Sequence, residues 1–275
     1  SHMSMRPAIR VRGDLAVSET LNFAVLHGYL DTAARSVQDH FRGRYLDRWE
    51  KRNGRWAIVR RFNPRGGKWQ QTVDSEVGSL MRRDRSDPSY ALFASLERGR
   101  DEDDRALLTA EHAVRTQLQS GSRALDRLDA TLYGSLWWPE GRLRDRERGV
   151  DGMAYDLIDG ELAILRDAVC SVHLLTNSMI DMAGDRAVSH TGFHRILAGP
   201  ADATAVAIDR HLRGRYLDRW SRRDGRWALM HREIVRDFAW QQVVTRRTAS
   251  VAGRRDRADP SYDLFTEEFA LPDGR

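Results

Sequence analysis

Arg213-Gly214-Arg215-Tyr216-Leu217-Asp218-Arg219-Trp220 occurs a second time, letter for letter, as Arg42 to Trp49. The offset of 171 residues between Arg44 and Arg215 holds without a gap from Gly13/Gly184 to Arg61/Arg232, through Gly54-Arg55-Trp56-Ala57 and Gly225-Arg226-Trp227-Ala228. One inserted residue then moves it to 172, and Arg83-Asp84-Arg85-Ser86-Asp87-Pro88-Ser89-Tyr90 matches Arg255-Asp256-Arg257-Ala258-Asp259-Pro260-Ser261-Tyr262. A shared offset of this length signals internal duplication. Its period lies far above that of solenoid or propeller repeats, so each copy is expected to be a domain or a large part of one.

The 275 residues suffice for two ordinary cores. Hydrophobic residues at 41% and charged residues at 31% fit a soluble globular protein without a membrane-spanning run. Ser1-His2-Met3 reads as the remnant of a cleaved expression tag, which sets the natural start at Met3 or Met5. The net charge is +5, but acidic and basic residues are interleaved, and no basic face with interleaved aromatics emerges to track a phosphate backbone. Lysine occurs only as Lys51 and Lys68, so arginine, suited to bidentate carboxylate pairing, supplies nearly all the positive charge. The single cysteine, Cys170, excludes an internal disulfide and a zinc cluster and fits a reducing cytoplasm. The expectation is no cofactor, no metal, no nucleic acid and no membrane.

Alternation around Gly13-Asp14 predicts a hairpin from Ile9 to about Val25. A longer strand over 36–50 turns at Asn53-Gly54 into Trp56-Ala57-Ile58-Val59, because Asn-Gly accepts the positive φ of a tight turn. Asn63-Pro64-Arg65-Gly66-Gly67 breaks the pattern, and 82–88 reads as a polar extended tail. After a charged linker at 97–103 the apolar period becomes helical: 104–126, with a kink or break at Ser120-Gly121-Ser122, then 130–138, then 153–169. Between the last two, 144–151 reads as a charged loop. Strands resume over 172–182, 187–197, 206–219 and 226–235. The expected organisation is an incomplete, mostly sheet repeat at 6–96 and a complete domain at 104–266, both α+β in class when taken together as tandem curved antiparallel sheets, the second covered by three helices.

Helices followed by such a sheet, with Gly214-Arg215-Tyr216-Leu217-Asp218-Arg219-Trp220 and the closing Arg-Arg-Asp-Arg-x-Asp-Pro-Ser-Tyr, resemble the SnoaL-like branch of the nuclear transport factor two-like superfamily. The resemblance covers 104–265 as a complete unit and 6–93 as one lacking its helices. It implies a cone of curved sheet wrapped by helices around an apolar pocket. Within the superfamily the chain is similar to the hexachlorocyclohexane dehydrochlorinase and scytalone dehydratase families. Their helix-borne aspartate falls at Asp126, a tryptophan pair at Trp137-Trp138, their strand-borne histidine at His173 and a pocket arginine at Arg232. A neutral imidazole abstracts a proton near neutral pH, and a carboxylate on its other nitrogen sets the tautomer and stabilises the imidazolium. The resemblance thus implies His173 as base, Asp126 as its orienting partner and Arg232 as stabiliser of a departing or developing anion. Trp137 and Tyr216 are the candidate substrate-pocket residues.

Each residue also has a purely structural reading. Asp126 caps a helix, His173 is a satisfied strand histidine, Arg232 joins one of many arginine–carboxylate pairs, and the tryptophans fill the core. Tyr45 stands at the counterpart of Tyr216 in the copy without a dyad, which favours a fold role. Relatives carry a tyrosine where this chain has Gly121, so a hydroxyl donor of the dehydratase type is in doubt. The counterpart of His173 in the first copy is the tag residue His2, and no catalytic pair is expected there. His112, His190, His194, His211 and His231 match no metal-binding spacing. The function expected is a cofactor-independent lyase or isomerase on a small apolar or polycyclic molecule. The alternatives are a non-catalytic binding protein on the same scaffold and, more weakly, a structural protein. The two sheets are expected to form an internal pseudo-dimer, with a further homo-oligomer, or a helix swapped from another chain over the first sheet, left open.

Overall fold

The computed structural model describes residues 2–4, 8–29, 35–63, 65–77, 84–96, 104–245 and 255–256. The chain divides into two compact units, Ser1–Glu76 and Val77–Arg275. The linker expected at 97–103 lies outside the described residues. The division falls ahead of it because a short helix, α1 (Pro88–Ala94), packs with the second unit.

The first unit is antiparallel sheet: β1 (His2–Ser4), β2 (Ala8–Arg12), β3 (Leu15–Tyr29), β4 (Arg35–Arg52), β5 (Arg55–Phe62) and β6 (Arg65–Val77). β2 and β1 run in turn along β3, which pairs with β4, and β4 carries β5 and then β6. Asn53 and Gly54 take φ of 51° and 77°, as a type I′ turn requires of both central residues. The expected break is shorter than predicted: only 63–64 separate β5 from β6, and Arg65 to Gly67 are strand. Among the described residues this unit has no helix, and Ile9, Val11, Val17, Ile58 and Phe62 are exposed.

In the second unit α1 is followed by α2 (Asp104–Asp126), α3 (Ala130–Gly134), β7 (Trp137–Asp145), β8 (Val150–Met153), α4 (Ala154–Arg166), β9 (Cys170–Ala183), β10 (Arg186–Ala198), β11 (Val206–Arg223) and β12 (Arg226–Thr245). The meander β9-β10-β11-β12 is antiparallel, β7 adds to β12 in parallel, and β8 pairs with β7. Three expectations are corrected. The polar tail expected over 82–88, described from Asp84 onward, gives way to a helix at Pro88, since Asp87 caps α1 by accepting from the Ser89 N–H at 3.0 Å and holds Arg215 of β11 at 2.5 Å. The second helix stops at Gly134, because Leu229 donates its N–H to the Leu136 carbonyl at 2.8 Å and pairs with Trp137, drawing Trp137-Trp138 into a strand. The loop at 144–151 is the β7–β8 connection, a 3₁₀ turn over Arg146–Arg148 closed by Gly149 at φ 65°.

α2 runs unbroken through Ser120-Gly121-Ser122, because Val114, Leu118 and Leu125 on its inner face are all buried against α3, α4 and the sheet. Burying such side chains contributes roughly 1.5–3 kcal/mol each. Arg255 donates to the Asp126 carbonyl at 3.4 Å and the Ala168 carbonyl at 2.6 Å, meeting unpaired carbonyls at the ends of α2 and α4.

The two hairpins β3–β4 and β10–β11 share one register: Leu15↔Glu50, Ser18↔Asp47 and Thr20↔Tyr45 correspond to Arg186↔Ser221, Ser189↔Asp218 and Thr191↔Tyr216. Bulges recur at Arg42/Gly43 and Arg213/Gly214, and at Arg48/Trp49 and Arg219/Trp220, which bend the strands. Gly214 belongs to the repeated octapeptide for a steric reason: a Cβ there would collide with the Val235 carbonyl and stand 2.8 Å from the Phe193 ring.

Candidate functional site

Asp126 is the last residue of α2 and His173 stands in β9, 47 residues later. The imidazole Nδ1 lies 2.7 Å from Asp126 Oδ1. The backbone N–H of His173 donates to Oδ2 at 3.0 Å, and the Ser171 hydroxyl donates to Oδ1 at 2.8 Å. Three contacts from one strand therefore hold the carboxylate, and the His173 side chain is only 3% exposed. An acceptor on Nδ1 selects the tautomer with the proton on Nδ1 and the lone pair on Nε2.

His173 forms part of the wall of a cavity lined also by Leu125, Tyr133, Asp145, Arg148, Glu161, Leu165, Phe193, Arg195, Leu212, Tyr216, Ile234 and Arg236. Its volume of about 20 Å³ is just above the ~10–15 Å³ that one water needs. The wall is more polar than the resemblance implies. Arg236 donates to Asp145 Oδ2 at 2.9 and 3.1 Å, and Arg148 to Glu161 at 2.5 Å. Burial pushes the Tyr216 phenol up to about 12, against the opposing pull of Arg232 and Arg195, so it stays neutral. Burial also raises the Tyr133 phenol.

Arg232 and Trp137 stand elsewhere. Arg232 forks onto Asp218 with two bonds of 2.8 Å and lies 4.1 Å above the Tyr216 ring, and it does not line the cavity. The same arrangement exists in the first unit, where Arg61 forks onto Asp47 at 2.6 and 2.8 Å and lies 4.1 Å above Tyr45. Trp49 and Trp220 likewise donate to Ser18 and Ser189 at 2.9 and 3.0 Å. A constellation that recurs where the dyad does not is a fold element. Trp137 is fully buried in the core cluster and also absent from the wall. Trp138 has the guanidiniums of Arg223 and Arg226 4.6 and 4.8 Å from its ring centroid. Of the expected pocket residues, Tyr216 alone lines the cavity.

Sequence reasoning missed Arg195, Asp145, Arg148, Glu161 and Arg236. The signal available for Arg195 was period-two alternation along β10, which puts it on the face of Phe193. Among the described residues no group of three or more His, Cys, Asp or Glu is placed to hold a metal, and Cys170 is exposed. No described helix is long and apolar enough to cross a membrane. The first unit has a broad recess of about 820 Å³ whose wall includes Asp47, Arg48 and Arg60 but no histidine.

No curated protein matches the chain. Among solved structures, it is similar to a protein assigned provisionally as a scytalone dehydratase from Novosphingobium aromaticivorans. That match has 17% identity and a TM-score of 0.44, covering 54% of this chain and 94% of that one. It is also similar to hexachlorocyclohexane dehydrochlorinase LinA-type3 from Novosphingobium barchaimii, at 14% identity, TM-score 0.45 and coverages of 54% and 99%. A protein of unknown function with a cystatin-like fold from Nostoc punctiforme matches at 18%, TM-score 0.39 and coverages of 46% and 90%. The family described as SnoaL-like domain matches residues 106–233. That stretch, a SnoaL-like domain, holds both dyad residues and most of the cavity wall.

Proposed function

We propose that the second unit is a cofactor-independent lyase or isomerase that works by abstracting a proton from a small organic molecule, with His173 as base. The observation that supports it is the 2.7 Å contact between His173 Nδ1 and Asp126 at a cavity wall. With Nδ1–H donated to Asp126, the lone pair on Nε2 accepts a proton from a substrate carbon. In an elimination the released C–H electron pair forms the new double bond, and the leaving group departs with its own bonding pair. In an isomerisation the same imidazolium returns the proton at another carbon. Asp126 stabilises the imidazolium while it exists. Arg232 is assigned a structural role, since its Nε–Nη2 edge is held by Asp218 and it does not line the cavity. Any organic substrate exceeds one water in size, so entry must displace wall side chains; Arg148, 26% exposed, is the most accessible of the ion-paired ones.

The test is proton exchange and elimination by NMR in D₂O, over a panel of β-hydroxy, β-halo and unsaturated carbonyl compounds. His173→Ala should lower the rate by about two to four orders of magnitude with an unchanged melting temperature. Asp126→Asn should lower it with little change in substrate affinity. Equal rates for wild type and His173→Ala would sink the reading. A wild type that retains a ligand in native mass spectrometry, yet exchanges no proton of it, would favour a binding protein on this scaffold.

A further inference from the structure

Arg195 stands directly opposite His173 in the β9–β10 pairing. Directly paired residues share a sheet face with Cβ atoms about 4.5–5.5 Å apart, and both line the cavity. Among the described residues no hydrogen bond or ion pair engages Arg195, and its buried Nε has no partner. The carboxylates around it already hold other donors: Asp145 accepts from Arg236 through Oδ2 alone, Glu161 from Arg148, and Asp126 from His173 and Ser171. Its remaining neighbours on the wall include Phe193, Leu212 and Tyr216.

We propose that Arg195 is an anion-recognising residue, so that the cavity takes a ligand bearing a carboxylate or comparable oxyanion, held beside the His173 imidazole. The proposal rests on the reading of this cavity as the reaction site and adds the class of substrate. An unpaired cation withdrawn even partly from water is costly, and the fold does not demand one here. The corresponding position in the first unit is Ala24, which is buried and paired with His2 in the same register without a guanidinium. A planar guanidinium matches a carboxylate in charge and geometry. Burial, opposed by Tyr216 and reinforced by Arg236 and Arg148, lowers the proton affinity of Arg195, with Glu161 acting the other way. A bound anion would relieve that strain. Asp145 Oδ1 is buried without a hydrogen-bond partner and would accept from a hydroxyl on the same ligand.

The experiment is calorimetric titration of the full chain with formate, whose size is near that of water, and with benzoate against its neutral isostere benzamide. Wild type is expected to bind the two anions. Arg195→Met should weaken both roughly 10- to 100-fold, the loss of one charge-assisted contact, while Arg195→Lys should keep part of the affinity and guard against misfolding of the first variant. Absence of anion binding to wild type, equal affinity in Arg195→Met, or benzamide binding as tightly as benzoate would overturn the proposal. Proton abstraction from neutral compounds that is indifferent to Arg195 would overturn it while leaving the lyase reading intact. Anion binding at Arg195 without any proton abstraction would do the reverse.

Discussion

Arg232 and Arg195 show that burial and charge do not by themselves distinguish a structural arginine from a functional one. Arg232 holds the Asp218 carboxylate through Nε and Nη2 and has a repeat-related copy in Arg61, whose side chain is 44% exposed where that of Arg232 is 4% exposed. Among the described residues Arg195 has no hydrogen-bonded partner, and its counterpart in the first unit is Ala24. Burial and the coupling to Asp218 act on Arg232 in opposite senses, and the carboxylate prevails, so the guanidinium stays charged. Arg232→Gln leaves Asp218 buried and unpaired, and should cost about 3–5 kcal/mol of unfolding free energy, read from the midpoint of chemical denaturation. An unchanged midpoint would show that the pair is not structural. His173 and Asp126 could be named as candidates from the sequence because a family resemblance places a histidine and an aspartate at those positions. Arg195 could not, since nothing in the local residues says which guanidinium will lack a carboxylate.

At the level of elements, one bulge decides the site. From the turn, β9 and β10 pair in one register through His190↔Met179, and then shift so that Gly192 meets Thr176. Two residues, Asn177 and Ser178, stand against Thr191, with Asn177 at φ 43°. Without the shift, Ile196 would face His173 in place of Arg195. The bulge also switches parity along β9: Leu175 packs inward before it, Ile180 and Met182 after it, while Leu174 and Met179 are exposed. A slip of one residue exchanges the faces of a strand, so the bulge keeps both ends of β9 in the core. Asn177→Val puts a β-branched residue in the left-handed region and should destabilise the domain by about 1–2 kcal/mol, whereas Asn177→Gly should be tolerated. A thermal melt of the two variants distinguishes them, and equal melting temperatures would argue against a strained position.

For the whole molecule, the core clusters that hold the dyad are built from residues of the second unit alone. A chain from Val77 onward should therefore melt in one cooperative transition and keep the near-ultraviolet signal of its buried tryptophans; a non-cooperative melt would contradict this. The sequence by itself determined the 171-residue repeat, the hairpins and the helical segment before the second sheet, because turn chemistry, alternation and helical spacing are local properties, whereas His173 and Asp126 became candidates only through the resemblance to a family. It did not determine that Trp137 leaves a helix to pair with Leu229, that Asp87 ties α1 to Arg215, or that a bulge sets Arg195 beside His173. Those outcomes depend on which distant strands meet and in which register, and on which charges find partners. Only tertiary packing decides them, because each is a contact between residues far apart in the chain whose energy exceeds the local preference at either end.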